Sequence, residues 1–202
     1  SRHRAFRAGR ELIVPYLGQA ASLLIEVIFG ALALVFLLRL LVQWVGVNFH
    51  NPICQGLYRF TNPVLMPLRR WIKAWRRIDL AAALATLGIL WVKAALVLAV
   101  AGFAPKPAAV ALLGVAETLA LALMLYFWLI LIRVLMSWVG GGHHPLVPLV
   151  LQLTEPLLRP LRRRLPAPGG LDLSPMLVTL GILLLRILLV APLLDLAVSL
   201  AA

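Results

Sequence analysis

The stretch TNPVLMPLRR at Thr61–Arg70 returns as TEPLLRPLRR at Thr154–Arg163, 93 residues further along. A repeat of that length within 202 residues means that one structural unit was copied, so the fold must be buildable twice from one plan. At the same spacing Pro52 matches Pro145, Asp79 matches Asp172, TLGIL at Thr86–Leu90 matches Thr179–Leu183, and Lys93 matches Arg186. One inserted residue lengthens the spacing to 94 upstream, where Arg39 and Trp44 match Arg133 and Trp138.

The solvent for this doubled unit follows from composition. Hydrophobic residues make up 63% of the chain and charged residues 13%, and the mean hydropathy is +1.01. Soluble domains carry about 25% charged residues, so the chain is built for a bilayer. Four apolar runs are long enough to cross about 30 Å of hydrocarbon at 1.5 Å per residue: Leu12–Val47, Leu80–Ala104, Ala108–Val139 and Leu173–Ala202. Two fall in each repeat. An even number brings the second copy in from the same side as the first, which predicts parallel repeats about a pseudo-twofold axis along the membrane normal. The expected fold is therefore all-α, a single membrane domain of four transmembrane helices arranged as two parallel-repeated helical hairpins. Residues 12–104 form the first repeat and 108–202 the second.

Between the paired spans lie about 30 apolar residues broken by proline, a length set by span positions: Pro52, Pro63 and Pro67 in the first copy, Pro145, Pro148, Pro156 and Pro160 in the second. Proline removes amide donors and ends helices, and pieces such as Pro145–Leu153 are too short to span. Short interfacial or shallow re-entrant helices, alternating with turns on the membrane surface, satisfy this backbone better than a loop in lipid. These two connections hold Arg59, Arg69, Arg70, Lys73, Arg76 and Arg77, then Arg159, Arg162, Arg163 and Arg164, whereas the linker Phe103–Pro107 holds only Lys106. The positive-inside rule places them in the cytoplasm. Arg2, Arg4, Arg7 and Arg10 argue the other way and are outnumbered. The apolar run after this arm is too long for a signal-peptide core and is itself a copy of the third span.

The doubled unit, with Arg-x4-Trp, then Thr-[Asn/Glu]-Pro-x-Leu-x-Pro-Leu-Arg-Arg, then Ile78-Asp79 or Leu171-Asp172 opening the next helix, resembles the YggT family of bacterial inner-membrane proteins. The second copy is the fuller match: Ser137-Trp138, Pro145, Thr154–Arg163, Leu165-Pro166, Gly169-Gly170-Leu171-Asp172 and Ser174-Pro175. The first departs from the pattern where Trp71–Arg77 replaces a Pro- and Gly-rich stretch and Ala81-Ala82 replaces Ser-Pro. The resemblance implies a multi-pass bacterial inner-membrane protein without a known catalytic activity. It also implies relatives linked to osmotic or envelope stress, to cell division and, in plastids, to haem attachment on a membrane cytochrome.

The doubled polar residues have readable roles. Asp79 and Asp172, with Ser174 before Pro175, are expected to cap the second and fourth spans and to pair with Arg69/Arg70 and Arg162/Arg163 across the turn. Arg39 and Arg133 stand five residues before Trp44 and Trp138, within snorkelling reach of the interface, and read as interfacial anchors with them. Thr61, Asn62, Pro63, Pro67 and their mates Thr154, Glu155, Pro156, Pro160 form the repeat motif itself. Arg69, Arg70, Arg76, Arg77 and Arg162, Arg163, Arg164 make a basic face that anchors the protein or meets anionic head groups or an acidic partner.

Lys93 and Arg186 are buried deeper, each 14 residues beyond its Asp and roughly 21 Å into a span of about 30 Å. Such bases face protein or water and take partners. Glu26, Glu117 and Asp195 are the acids within the membrane, and the expected pairing is Glu26 with Lys93, and Arg186 with Glu117 or Asp195. These charges are either packing staples or the lining of a proton, ion or solute path.

Other chemistries lack their residues. Cys54 is the only cysteine, so neither a disulfide nor a Cys-x-x-Cys-His haem site is available. His50 and His143 are repeat mates, with His144 adjacent, and interface packing suits them better than metal ligation. No Ser/His/acid constellation or phosphate loop is present, Gly140-Gly141-Gly142 reading as a loop. Trp71 and Trp75 interleave with bases, but interfacial tryptophan is ordinary and nucleic acid is not expected. No cofactor is expected; bound phospholipid is the one small ligand anticipated. Two functions remain: a non-catalytic scaffold or assembly factor docked on another membrane protein, and a small channel or transporter subunit using Lys93 and Arg186, which would need homo-oligomers.

Overall fold

The computed structural model describes residues 2–47, 50–72, 75–139, 144–164 and 172–201, the first fourteen of these by backbone alone. Lys73, Gly140–His143, Leu165-Pro166 and Gly169–Leu171 of the sequence reading lie outside the described residues, as do the side chains of Arg2, Arg4, Arg7 and Arg10.

The described chain is helical, with one isolated β-bridge between Trp75 and Ile78. Helix α1 runs Arg2–Val45, α2 Pro52–Trp71, α3 Leu80–Val100, α4 Pro107–Val139 and α5 Leu146–Arg162. The last span is α6 (Ser174–Leu185) and α7 (Ala191–Ala201) joined by one π-helical stretch, Arg186–Val190. Among the described residues four helices are long and apolar enough to cross a membrane: Tyr16–Val45, Leu80–Val100, Pro107–Trp138 and Ser174–Ala201.

The connecting segments differ from the expected helix-turn alternation. Each is one amphipathic helix that continues through its prolines. Pro63, Pro67, Pro156 and Pro160 all sit on exposed faces, so the carbonyls they deprive of donors open away from the core. The opposite faces bury Thr61 and Leu65 in α2 and Leu153, Thr154 and Leu158 in α5.

Equivalent residues build equivalent packing. Phe36 and Leu65 join α1 to α2 and Ala81–Ala82 of α3. Their mates Ile130 and Leu158 join α4 to α5, with Val178 and Ile182 of α6. Between these clusters, Leu41, Val42 and Val47 meet Cys54, Leu129, Leu149, Val150 and Leu153, closing the two repeats over one another at the end that carries α2 and α5. Asn51 ties the same place. Its Oδ1 caps α2 at the Ile53 amide (2.9 Å) and its Nδ2 donates to the Pro145 carbonyl (2.7 Å). Among the spans, α3 packs on both α1 and α4, whereas α6–α7 packs on α4 and has no comparable contact with α1.

The π stretch has a local cause. Pro192 cannot donate to Leu188, and its ring crowds that carbonyl, so the ladder shifts and the Ala191 amide bonds Arg186 instead. The residue at the matching place in α3 is Ala99, and α3 runs without interruption.

Candidate functional site: doubled arginines and intramembrane charges

At the α2/α5 end the duplicated arginines are not free anchors. Arg133, from the last turns of α4, forks onto α5: Nη1 donates to Thr154 Oγ1 (2.7 Å) and the Leu151 carbonyl (3.3 Å), Nη2 to Glu155 Oε2 (3.1 Å). Thr154 in turn donates to the Val150 carbonyl at 2.7 Å. The threonine is fully buried in both copies, under Arg133 in the second, whereas Thr61 in the first donates to the Leu57 carbonyl at 2.8 Å. Arg39 is itself 1% exposed, with its guanidinium carbon 3.1 Å from the centroid of the Tyr58 ring. The expectation that Arg39 and Arg133 snorkel to water is therefore corrected. A guanidinium five residues inside the helix finds aromatic and hydrogen-bond partners on the amphipathic helix below it, which is nearer than water. Trp44 and Trp138 do stay exposed, at 42% and 80%.

Asp79 accepts from the Ala82 amide at 3.3 Å and from Arg69, which also donates to Gln43 at 3.2 Å. Asp172 accepts from the Ser174 amide (3.0 Å) and from Arg162 Nε (2.6 Å), and Arg162 lies 3.7 Å from Glu155. Ser174 is thus the first residue of α6 rather than its cap; the carboxylate that accepts from its amide belongs to Asp172, two residues before it. Burial opposes ionisation of Asp172, but hydrogen bonds from the Ser174 hydroxyl and amide and from Arg162, with that charge, hold the carboxyl below the usual range. The network Arg133–Glu155–Arg162–Asp172 spans α4, α5 and α6. Asn62 stands where Glu155 would be in the first repeat, so the corresponding charge chain is broken there.

The remaining bases of this face, Arg59, Arg70, Arg76, Arg77, Arg159, Arg163 and Arg164, are exposed and have no salt bridge among the described residues. Trp71 (89% exposed) and Trp75 (64%) project beside them. Where the first copy departs from Gly-rich sequence, residues 75–78 close a tight turn with Arg76 at φ 55°, and Gly169 occupies the equivalent position of the second copy.

Within the membrane the pairing differs from expectation. Lys93 Nζ bonds Glu117 Oε1 at 3.0 Å, joining α3 to α4. Glu26 is exposed and lies within electrostatic range of Glu117 rather than on Lys93. Arg186 is exposed, meets Met124 Sδ at 3.5 Å, and has neither Glu117 nor Asp195 as an ion-pair partner. Because α3 packs on both α1 and α4, the choice lies in which acid faces the base: Glu117 meets Lys93 from α4, whereas Glu26 is exposed on α1. Close approach at this interface depends on Gly114, where an added Cβ would overlap the Trp91 ring, and Trp91 Nε1 donates to the Ala111 carbonyl at 3.2 Å.

Asn51, Gln43, Gly114 and the π stretch carry structure that the repeat comparison did not single out. Pro192 was the sequence signal for the last of these. Among the described residues no three His, Cys, Asp or Glu side chains converge as a metal site.

The CCB3/YggT family model matches the chain twice, over residues 18–100 and 112–193. The chain is 38% identical over 159 residues to "Uncharacterized protein YggT" of Escherichia coli K12, covering 79% of this chain and 83% of that one. It is 37% identical over 163 residues to a Vibrio alginolyticus protein described as "Uncharacterized protein in proC 3′region", covering 80% and 88% of the two. It is 36% identical over 177 residues to an uncharacterized protein of Pseudomonas aeruginosa, covering 86% and 90%. No solved structure matches significantly. Two copies of one family unit, each carrying the Arg-x4-Trp span, the Thr-x-Pro amphipathic helix and the capped return span, make this chain a member of the CCB3/YggT family.

Proposed function

We propose that the protein is a non-catalytic scaffold or assembly factor of the bacterial inner membrane, of the kind that serves envelope-stress responses. It docks by its spans on another integral membrane protein and presents its α2/α5 end to the cytoplasm. The observation that carries this reading is the division of labour among the arginines. One set, Arg39, Arg69, Arg133 and Arg162, is committed to ring, cap and fork contacts. The other, Arg70, Arg76, Arg77, Arg163 and Arg164, is exposed beside protruding tryptophans. Unpaired bases with aromatic neighbours at a membrane surface suit anionic head groups or an acidic protein partner. A recess lined by Arg133, Ser137, Trp138, Arg162 and Pro175 offers such a head group a place to lodge.

The test is purification in native-lipid nanodiscs with identification of what co-purifies at fixed stoichiometry. Reversal of Arg76, Arg77, Arg163 and Arg164, chosen because they hold no cap, is expected to release a membrane-protein partner or anionic lipid while folded yield is kept. Retention of every co-purifying component would overturn the reading.

A second reading, a small oligomeric channel or transporter subunit, is favoured by Arg186, a base deep in a span with no carboxylate partner among the described residues. Proton or anion flux in liposomes that falls on Arg186→Met, without loss of protein, supports it.

A further inference from the structure

The two repeats do not use their equivalent surfaces equally. In the first, the return span α3 packs on α4, the opening span of the second repeat, through Lys93 and Glu117 and through Trp91 over Gly114. The equivalent of α3 is α6–α7, and the equivalent of α4 is α1. An α1-like span is therefore the partner that α6–α7 would take by the same plan, and among the described residues α1 itself has no comparable contact there.

Both unused edges keep the features of the used one. Arg186 is the mate of Lys93, and Leu184 the mate of Trp91. Ala20 is the mate of Gly114, and Glu26 lies three residues beyond the mate of Glu117, hence on nearly the same helix face. All four are exposed. A base and an acid deep in the membrane are thus both exposed, on spans that do not pack on one another, each without an ion-pair partner among the described residues.

We infer that a second copy of this chain supplies the missing contact, its α1 seated on α6–α7 so that its Glu26 pairs with Arg186. Depth permits it. Counted from the helix ends nearest α2 and α5, Lys93 is 13 residues in from Leu80 and Glu117 is 22 residues from Val139, yet their side chains meet. Arg186 is 12 residues in from Ser174 and Glu26 is 19 residues from Val45, a smaller offset. Charge permits it as well. Glu26, Lys93 and Glu117 together leave one acid in excess, and the neighbour's Arg186 neutralises it. The π stretch that starts at Arg186 locally re-aims this edge relative to uninterrupted α3. The interface is head-to-tail, so copies assemble into a closed ring or an open row. This inference does not rest on the scaffold reading, since its observations are the exposed Glu26 and Arg186 and not the basic face.

The test uses full-length chains in lipid nanodiscs, in a Cys54→Ala background. Chains with Ala20→Cys and chains with Leu184→Cys, the exposed mates of the touching Gly114 and Trp91, keep Glu26 and Arg186 in place and, differently tagged and co-expressed, are expected to give a doubly tagged product with a short bis-maleimide. Either chain alone should give none. Absence of the doubly tagged product would overturn the inference, as would cross-linking of a doubly substituted molecule only within itself. Glu26→Arg and Arg186→Glu should each cut assembly by tenfold or more, and the two reversals together in one chain should restore it. The neutral variants Glu26→Gln and Arg186→Met, which avoid inserting a new membrane charge, should reduce assembly while keeping monomer yield; unchanged assembly in them sinks the proposal.

Discussion

Lys93 and Glu117 meet across α3 and α4 at 3.0 Å, at 15% and 23% side-chain exposure, and Glu117 keeps its second carboxylate oxygen buried without a hydrogen-bond partner. Removing one member of such a pair strands the other in a medium that cannot solvate it. Lys93→Met is therefore expected to destabilise the fold by about 3–5 kcal/mol. Lys93→Met with Glu117→Leu should recover most of that loss, because neither charge remains to be desolvated. Unfolding in graded detergent, followed by tryptophan fluorescence for the single and double variants, measures the difference.

Gly114→Ala places a methyl group where the Trp91 ring lies. Overpacking of this kind costs about 1–3 kcal/mol, and Trp91→Leu should relieve it in the same chain. Thermal melting of the two variants and their combination distinguishes a steric conflict from a general loss of α4 helicity.

Arg133 uses both terminal guanidinium nitrogens, Nη1 and Nη2, on α5, a geometry lysine cannot copy. Arg133→Lys is expected to lose about 1.5–3 kcal/mol, the range for hydrogen bonds to charged groups. Thr154→Val should lose less, and in an Arg133→Lys background its effect should shrink, as a double-mutant cycle will read.

The carboxyl of Asp172 is held below its ordinary range by Ser174 and Arg162. A depressed carboxylate contributes stability above its unfolded value, and that contribution is lost as pH falls through the folded one. The stability gap between the native chain and Asp172→Asn should therefore be constant at neutral pH and close only in acid. Because the pair is more than one-third exposed, salt should narrow the gap at neutral pH. Unfolding midpoints from pH 7 down to about 3, a range chosen to bracket the carboxylate reference, give the profile.

Arg76 adopts φ 55° in the 75–78 turn, a conformation that suits glycine better than a residue with a Cβ. Arg76→Gly should leave stability unchanged or raise it by up to about 1 kcal/mol, while Arg76→Val should lower it. Melting temperatures of the two variants decide.

The sequence by itself determined that four spans form and that two amphipathic segments follow one plan, since periodic apolarity and a 93-residue copy are properties of order along the chain. The partnership of Arg69 with Asp79 and of Arg162 with Asp172 was legible for the same reason: each pair closes a local turn only ten residues long. Only the tertiary structure decided that Arg39 lies over Tyr58, that Asn51 reaches Pro145, and that Lys93 takes Glu117 rather than Glu26. Those choices depend on which helix lies beside which and at what tilt. Two spans of equal hydrophobicity compete for one neighbour on small differences in packing, such as Gly114 admitting Trp91, that no pattern along the chain reveals.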